Sequence, residues 1–477
     1  MRTTTSPRSF RVGRVKGYLR GSTWYLCYHE NGTRRRPRVG PDLQQARTLA
    51  AQTNGQLAGG TRPVLSFEPT SIPDLRQRWL DHHEHVLRSS VATIARYRAA
   101  TDHLLTFVRD VKPVRLASLF GDRVAEDFVR HLRTVAVASN GRRGAPKRPL
   151  MDKGVRYILE TCRALFNYAA KRRHLAPYAG NPFADIQTHR IPIEDAKRIV
   201  LFTPEQERQF LAACDDWQFP VFLTLLTTGL RPGELAHVLL PDDVDLEAGV
   251  LRVRNKRALG WQVKTRNERD VPLAPDLVAV LRVATGARRS GPAFTRPGFR
   301  GLETRTSEEL SAALSDRILA DEQALCRAPT RQERLAAAKA LWWEVGAVRE
   351  DRIRSEFMRV TAKVGLASVT MPKLLRHMFA TALQDGDVDP LIRNRLMGHA
   401  PATSREPSAG LGMTAVYSHC RPETVRRQLE SALAMRPALE EARRWLRQRG
   451  LTVAEAGGTS QSATGSRARA KVDGEIL

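Results

Sequence analysis

Three short apolar frames between Met371 and Cys420 each carry one polar, chemically active side chain. The first, Lys373-Leu374-Leu375-Arg376-His377, holds an arginine. The second, Leu396-Met397-Gly398-His399, holds a histidine, and Thr414-Ala415-Val416-Tyr417-Ser418-His419 holds a tyrosine. Together these groups can transfer a phosphoryl group without a metal. A guanidinium grips phosphate oxygens with paired N–H donors, an imidazole hydrogen-bonds them, and a phenol oxygen attacks phosphorus. The rest of the chain is therefore expected to deliver a phosphodiester, and DNA above all, to this stretch.

Size and charge agree with that expectation. A chain of 477 residues exceeds one core and predicts about two to four domains. With 77 basic against 50 acidic residues the net charge is +27, a surplus that favours a polyanion such as nucleic acid. The five cysteines, Cys27, Cys162, Cys214, Cys326 and Cys420, are scattered without a Cys-x-x-Cys pair. That spacing predicts free thiols in a reducing compartment rather than a disulfide frame or zinc site. No apolar run approaches membrane-spanning length and no signal peptide is apparent, so the expected location is the cytoplasm, on the nucleoid of a bacterium.

The order of local patterns predicts an α+β chain, mainly helical with small sheets. Residues 1–10 are polar and expected to be disordered. Strand-like segments follow at Arg11–Val15, Thr23–Tyr28 and Thr33–Val39, with the hairpin signal Asn31-Gly32 between the last two. A helix from Asp42 to about Leu57 closes this first module, placed at 1–60. Residues 1–38 carry ten basic residues and one acid, Glu30. A small sheet presenting Arg34, Arg35, Arg36 and Arg38 is suited to DNA. A linker over 59–69 leads to a second module at 70–184. It has helices beginning near Ile72, Val91, Asp122 and Asp152, and a basic loop at 136–150 with Arg142, Arg143 and Lys147. A second linker at 184–200 precedes the third module, 200–436. There Thr203-Pro204 opens a helix, Gly229 stops the apolar run Phe219–Thr228, and Pro232 starts another helix, so Arg231 sits at a helix-to-helix junction. Leu251–Val253, Trp261–Lys264 and Arg269–Leu273 read as strands. Arg331 to about Phe357 reads as one helix inside an enlarged segment near 300–360. Two helices follow from Pro422, and residues 456–477 are expected to be a disordered tail.

Thr228-Gly229-Leu230-Arg231-Pro232-Gly233-Glu234-Leu235, together with the three frames above, resembles the motif set of the tyrosine recombinases, or phage integrase family. The order matches, as does the separation of 23 residues from Arg376 to His399. Val263-Lys264-Thr265 followed by Arg269-Asp270-Val271-Pro272-Leu273 resembles the family's hairpin lysine. The helical block at 70–184 is similar to its core-binding (SAM-like) domain, and the basic sheet to the arm-type domain of some integrases. The resemblance implies a metal- and cofactor-free site. Arg231 and Arg376 would clamp the scissile phosphate, His399 would hydrogen-bond it, Tyr417 would be the nucleophile, and Lys264 the general acid. It also implies double-stranded attachment-site DNA as substrate, a homo-tetramer in the synaptic complex, and accessory DNA-bending or directionality proteins.

Two departures from the family pattern stand out. Lys373 occupies a position where the family commonly has histidine, and it is kept as a catalytic candidate. His399 and Tyr417 lie 18 residues apart, about twice the family's usual separation, with the added residues around 405–412. His377 and His419 read as structural neighbours, and Lys256 is the alternative to Lys264. The expected activity is integration or excision of a mobile element through a 3′-phosphotyrosyl intermediate. The alternatives are a chromosome-resolving or topoisomerase-like enzyme, or a catalytically silent DNA-binding accessory protein.

Overall fold

A computed structural model describes residues 8–138, 144–177, 179–194, 200–299, 301, 305–399 and 420–457. The chain divides into two compact units, Met1–Arg198 and Ile199–Leu477.

The first unit opens with a five-stranded antiparallel sheet. Its strands are β1 (Ser9–Val12), β2 (Val15–Arg20), β3 (Thr23–Glu30), β4 (Thr33–Arg35) and β5 (Arg38–Gly40), with both β4 and β5 pairing with β3. The Asn31-Gly32 hairpin forms as expected, both residues holding positive φ as a two-residue turn of this type requires. Arg11–Val15, expected as one strand, is instead a reversal: Gly13 takes a φ of +53° and the chain turns from β1 into β2. Helix α1 (Leu43–Ala58), capped by Asp42, covers Val15, Leu26 and Tyr28 of the sheet. The segment read as a linker is packed here: Leu65 is buried and the Ser66 hydroxyl donates to Glu30 Oε2 at 2.8 Å.

Four helices then share one apolar core: α2 (Ile72–Asp81), α3 (Val91–Thr106), α4 (Asp122–Thr134) and α5 (Asp152–Lys171). Phe107, Phe120, Phe128, Phe166 and Phe183 pack against one another at its centre. The stretch 136–150 is not wholly a loop, because β6 (Ala136–Ala138) and β7 (Lys147–Pro149) pair as a short antiparallel ribbon.

The second unit is built on α6 (Pro204–Ala212) and the fully buried α7 (Gln218–Thr228). After the single turn α8 (Pro232–Leu235) come β8 (Leu239–Leu240), β9 (Val244–Asp245), β10 (Val250–Val253) and β11 (Arg269–Pro272), the last three forming a sheet in the order β11-β10-β9. Helix α9 (Pro275–Thr285) and β12 (Gly291–Pro292), which pairs with β8, lead into the enlarged segment. That segment holds α10 (Ser307–Leu325), α11 (Arg331–Glu344) and α12 (Glu350–Lys363). The single helix expected over 331–357 is thus two, interrupted where Gly346 adopts a φ of +84°. Helices α13 (Lys373–Asp385) and α14 (Pro390–Met397), followed by Pro422–Ala434, Pro437–Arg447 and the short Val453–Gly457, complete the described part of the unit. Among the described residues no helix is long and apolar enough to cross a membrane.

Candidate functional site

Arg231 lies where α7 ends and α8 begins. Gly229 closes α7 in the left-handed conformation with a φ of +63°, a geometry that favours glycine. Pro232 then opens α8 with φ already set for a helix. Glu234, three residues on, reaches back to accept the Arg231 backbone N–H at 3.0 Å and its Nη1 at 2.6 Å. The backbone and side chain of Arg231 are therefore fixed by one carboxylate. Glu234 is itself buried and shared, since Arg269 Nη2 donates to Oε2 at 2.6 Å and the Arg269 side chain is 1% exposed. Burial alone would raise the Glu234 carboxyl, but the hydrogen bond and charge of Arg269, with Arg231 behind it, outweigh burial and hold it below the usual carboxylate range.

Arg376 projects from the first turn of α13 and is buried. Its Nη1 donates to Gly229 O at 2.5 Å and its Nη2 to Met397 O. Those carbonyls stand at the C-terminal ends of α7 and α14, where backbone acceptors lack helical partners and carry the negative end of the helix dipole. One guanidinium thus joins three helices. Burial, and then the charge of Arg231, pull its pKa down to about 10. A Cβ on Gly229 would approach Phe379 of α13 to 2.2 Å, and one on Gly398 would meet Arg269 Nη1 at 2.8 Å. Both motif glycines therefore allow close approach to the arginine-bearing elements.

His399 follows the left-handed Gly398 that ends α14, with its N–H on Asn394 O at 3.0 Å. Burial lowers its pKa first, followed by the charges of Arg376, Arg231 and Arg269. The ring is then neutral at pH 7, with one N–H donor and one acceptor nitrogen. Arg376 binds the carbonyl of Gly229, two residues before Arg231, and that of Met397, two residues before His399, so the three segments converge.

Lys264 does not sit on a strand. The expected strand Trp261–Lys264 is a loop and turn between β10 and β11, joined only by the bridge Lys256↔Trp261. Val263 points into the core and Trp261 stacks on His237, so the apolar alternation there reflects packing rather than a ladder. The turn is tied to the histidine segment, because Thr265 Oγ1 donates to Gly398 O at 3.1 Å. Lys264 is exposed, whereas its alternative, Lys256, is half-buried and paired with the buried Asp243 at 2.7 Å. Lys373 is exposed at the start of α13. Its charge acts on His377, whose pKa is lowered by burial first and by Lys373 next.

Tyr417, Arg142 and Arg143 lie outside the described residues, as do residues 403–413. In the N-terminal sheet, Arg34, Arg36 and Arg38 are exposed. Arg35 points the other way, with Nε on Glu30 Oε2 at 3.2 Å. Lys147 is exposed on β7. Two contributors, Glu234 and Arg269, stand inside motifs quoted from the sequence but carry no signal there as a pair. Glu234 has the spacing of a reach-back cap, whereas an arginine heading a strand looks solvent-bound. Among the described residues no group of three or more His, Cys, Asp or Glu is disposed to hold a metal ion.

The fold and site together define a mainly helical protein with small antiparallel sheets and a cluster of arginines suited to a phosphate group. Residues 201–405 match the model of the phage integrase family. A 213-residue stretch is 25% identical to the tyrosine recombinase XerD of Bifidobacterium longum (strain NCC 2705), covering 45% of this chain and 52% of that protein. The match thus spans about half of that relative's length. The chain is also similar in structure to the Tn1549 transposon integrase in complex with a circular intermediate DNA, at 17% identity. That likeness covers 76% of this chain and 99% of the other, with a TM-score of 0.43. A lambda integrase tetramer bound to a Holliday junction is similar at 15% identity over 85% and 99% of the two chains, with a TM-score of 0.44. The similarity to the phage integrase family thus lies in residues 201–405, within the second unit.

Proposed function

We propose that this protein is a site-specific DNA recombinase that integrates or excises a mobile element. The observation that carries the reading is that Arg376 ties together the segments of Arg231 and His399, with the Lys264 turn fastened to the same place through Thr265. In this reading Arg231 and Arg376 hold the non-bridging oxygens of a scissile phosphate and stabilise charge as it develops. His399 donates a hydrogen bond to the same group, and Lys373 supplies a further donor at its edge. The Tyr417 oxygen forms a bond to phosphorus while the bond from phosphorus to the 5′-oxygen breaks. Lys264 gives its proton to that departing oxygen. The product is a 3′-phosphotyrosyl link and a free 5′-hydroxyl. Attack by a second strand's 5′-hydroxyl reverses the step, so the phosphodiester is rebuilt without ATP.

The exposed Arg34, Arg36 and Arg38 of the 1–60 module, with Arg142, Arg143 and Lys147 of the 70–184 helical module, are assigned to duplex DNA. Arg35, spent on Glu30, is expected to contribute less. A second DNA-holding module favours an element-encoded integrase over a chromosome-resolving enzyme. Four copies would act on two attachment sites, with DNA-bending or directionality proteins as helpers, in the bacterial nucleoid. Tyr417→Phe should abolish covalent capture on a nicked attachment-site duplex while leaving the duplex bound. Persistent covalent adducts in that variant would refute the assignment.

A further inference from the structure

The enlarged segment packs on the base of the Lys264 loop. Trp342 of α11 donates its Nε1–H to Leu259 O at 3.0 Å. Leu259 is buried among Leu310 and Leu314 of α10 and Ala337, Ala338 and Leu341 of α11. The approach is close, because a Cβ on Gly260 would lie 2.6 Å from the Ala338 Cβ. Gly260 also holds a φ of +68°, so the chain turns against α11 with no side chain between them. Next in line is Trp261, which stacks on His237 at 4.8 Å, while the Trp342 ring meets the same imidazole edge-on at 4.8 Å. His237 is anchored by Nδ1–H to Gly233 O at 2.7 Å, two residues from Arg231.

The far side of the loop is held separately. Asn255 Oδ1 accepts the Val263 N–H at 3.0 Å, and Glu268 Oε1 accepts the Asn255 N–H at 2.9 Å. Among the described residues, the 257–261 side is fastened to the inserted helices and to His237. The exposed Lys264 stands between the two clamps. A long ammonium-bearing side chain exposed on a turn has many rotamers, and proton transfer requires one of them.

We infer that the inserted helices α10 and α11 position the Lys264 turn, with Trp342 as the positioning residue for the proton donor. The inference rests on the reading of Lys264 as general acid, and its test separates the two. The probe is a duplex carrying the crossover phosphate mapped by Tyr417 capture, made with either oxygen or sulfur as the 5′-bridging atom. A thiolate departs without needing a proton, so sulfur bypasses the general acid and nothing else. Trp342→Phe keeps an aromatic ring but removes the N–H. Ala338→Val pushes on Gly260 and serves as an independent variant, each checked for folding by its melting transition.

On the oxygen substrate Lys264→Ala should slow single-turnover cleavage by about 100-fold or more, and the two positioning variants by about 10-fold. On the sulfur substrate all three should cleave within about 2-fold of the parent rate, whereas Arg376→Ala should remain slow on both. If Lys264→Ala is rescued but the positioning variants are unaffected on oxygen, or equally slow on both substrates, the inference is overturned. If Lys264→Ala itself is not rescued, the general-acid reading fails and takes this inference with it.

Discussion

Replacing Glu234 with alanine tests the link between Arg231 and Arg269. The carboxylate is 3% exposed and bonds both guanidiniums at 2.6 Å, while the Arg269 side chain is 1% exposed. Truncation leaves Arg269 buried without its carboxylate, a change worth about 3–5 kcal/mol. Arg231→Ala should cost less, about 1–2 kcal/mol, because Arg231 is 22% exposed and the Glu234–Arg269 pair survives its loss. The double variant Glu234→Ala/Arg269→Met removes both buried charges and should recover most of the stability lost by the single one. Urea unfolding, followed through the transition of the second unit, measures all three. The Glu234 carboxyl is held below its ordinary value, so its contribution is complete above the unfolded value of 4.5 and is lost as pH falls through the folded one. The gap between parent and Glu234→Ala should therefore be widest near neutrality and narrow in acid. A cost below about 1 kcal/mol, or a double variant less stable than Glu234→Ala, would refute the argument.

Arg376→Lys should lose cleavage by about 100-fold and stability by about 2 kcal/mol, because one ammonium cannot reproduce a planar fork on Gly229 O and Met397 O; single-turnover cleavage and urea unfolding measure the two effects. His237 provides a pH test, since burial pushes its pKa down to about 4. The unfolded chain therefore binds a proton that the folded one refuses. Stability should fall as pH drops from about 6.5 toward 4, by up to about 3 kcal/mol, and His237→Phe should flatten that slope in urea titrations.

Most helices were legible because their apolar stripes are bounded by strong punctuation. Gly229 and Pro232 fix Arg231 at its junction, Asn31-Gly32 makes its hairpin, and Thr203-Pro204 starts α6. What was not legible depends on residues far apart in the chain. Trp261–Lys264 has a strand's alternation, but the alternation comes from Trp261 stacking on His237 and Val263 entering the core. The break at Gly346 is local, yet its neighbours Trp342 and Trp343 look like continuous helix until Trp342 is seen to serve the 259–261 loop. Arg35 looks like its neighbours Arg34 and Arg36 until the alternation of β4 turns it toward Glu30. The candidate site follows the same rule. Its charged endpoints stand in recognisable frames, while the Glu234–Arg269 contact spans 35 residues and no local pattern announces it.

In the proposed reaction Glu234 would also set how much charge the site receives. Three guanidiniums, Arg231, Arg269 and Arg376, interact electrostatically with one another and with this single carboxylate, leaving a surplus of two positive charges. A resting phosphodiester carries one negative charge, and the arrangement in which a phenolate oxygen adds to it carries two. In that reaction the arginine cluster would be neutralised more completely by the reacting group than by the resting one. Such a match would lower the barrier rather than simply tighten the grip, and a second carboxylate beside Glu234 would shift the preference back toward the substrate.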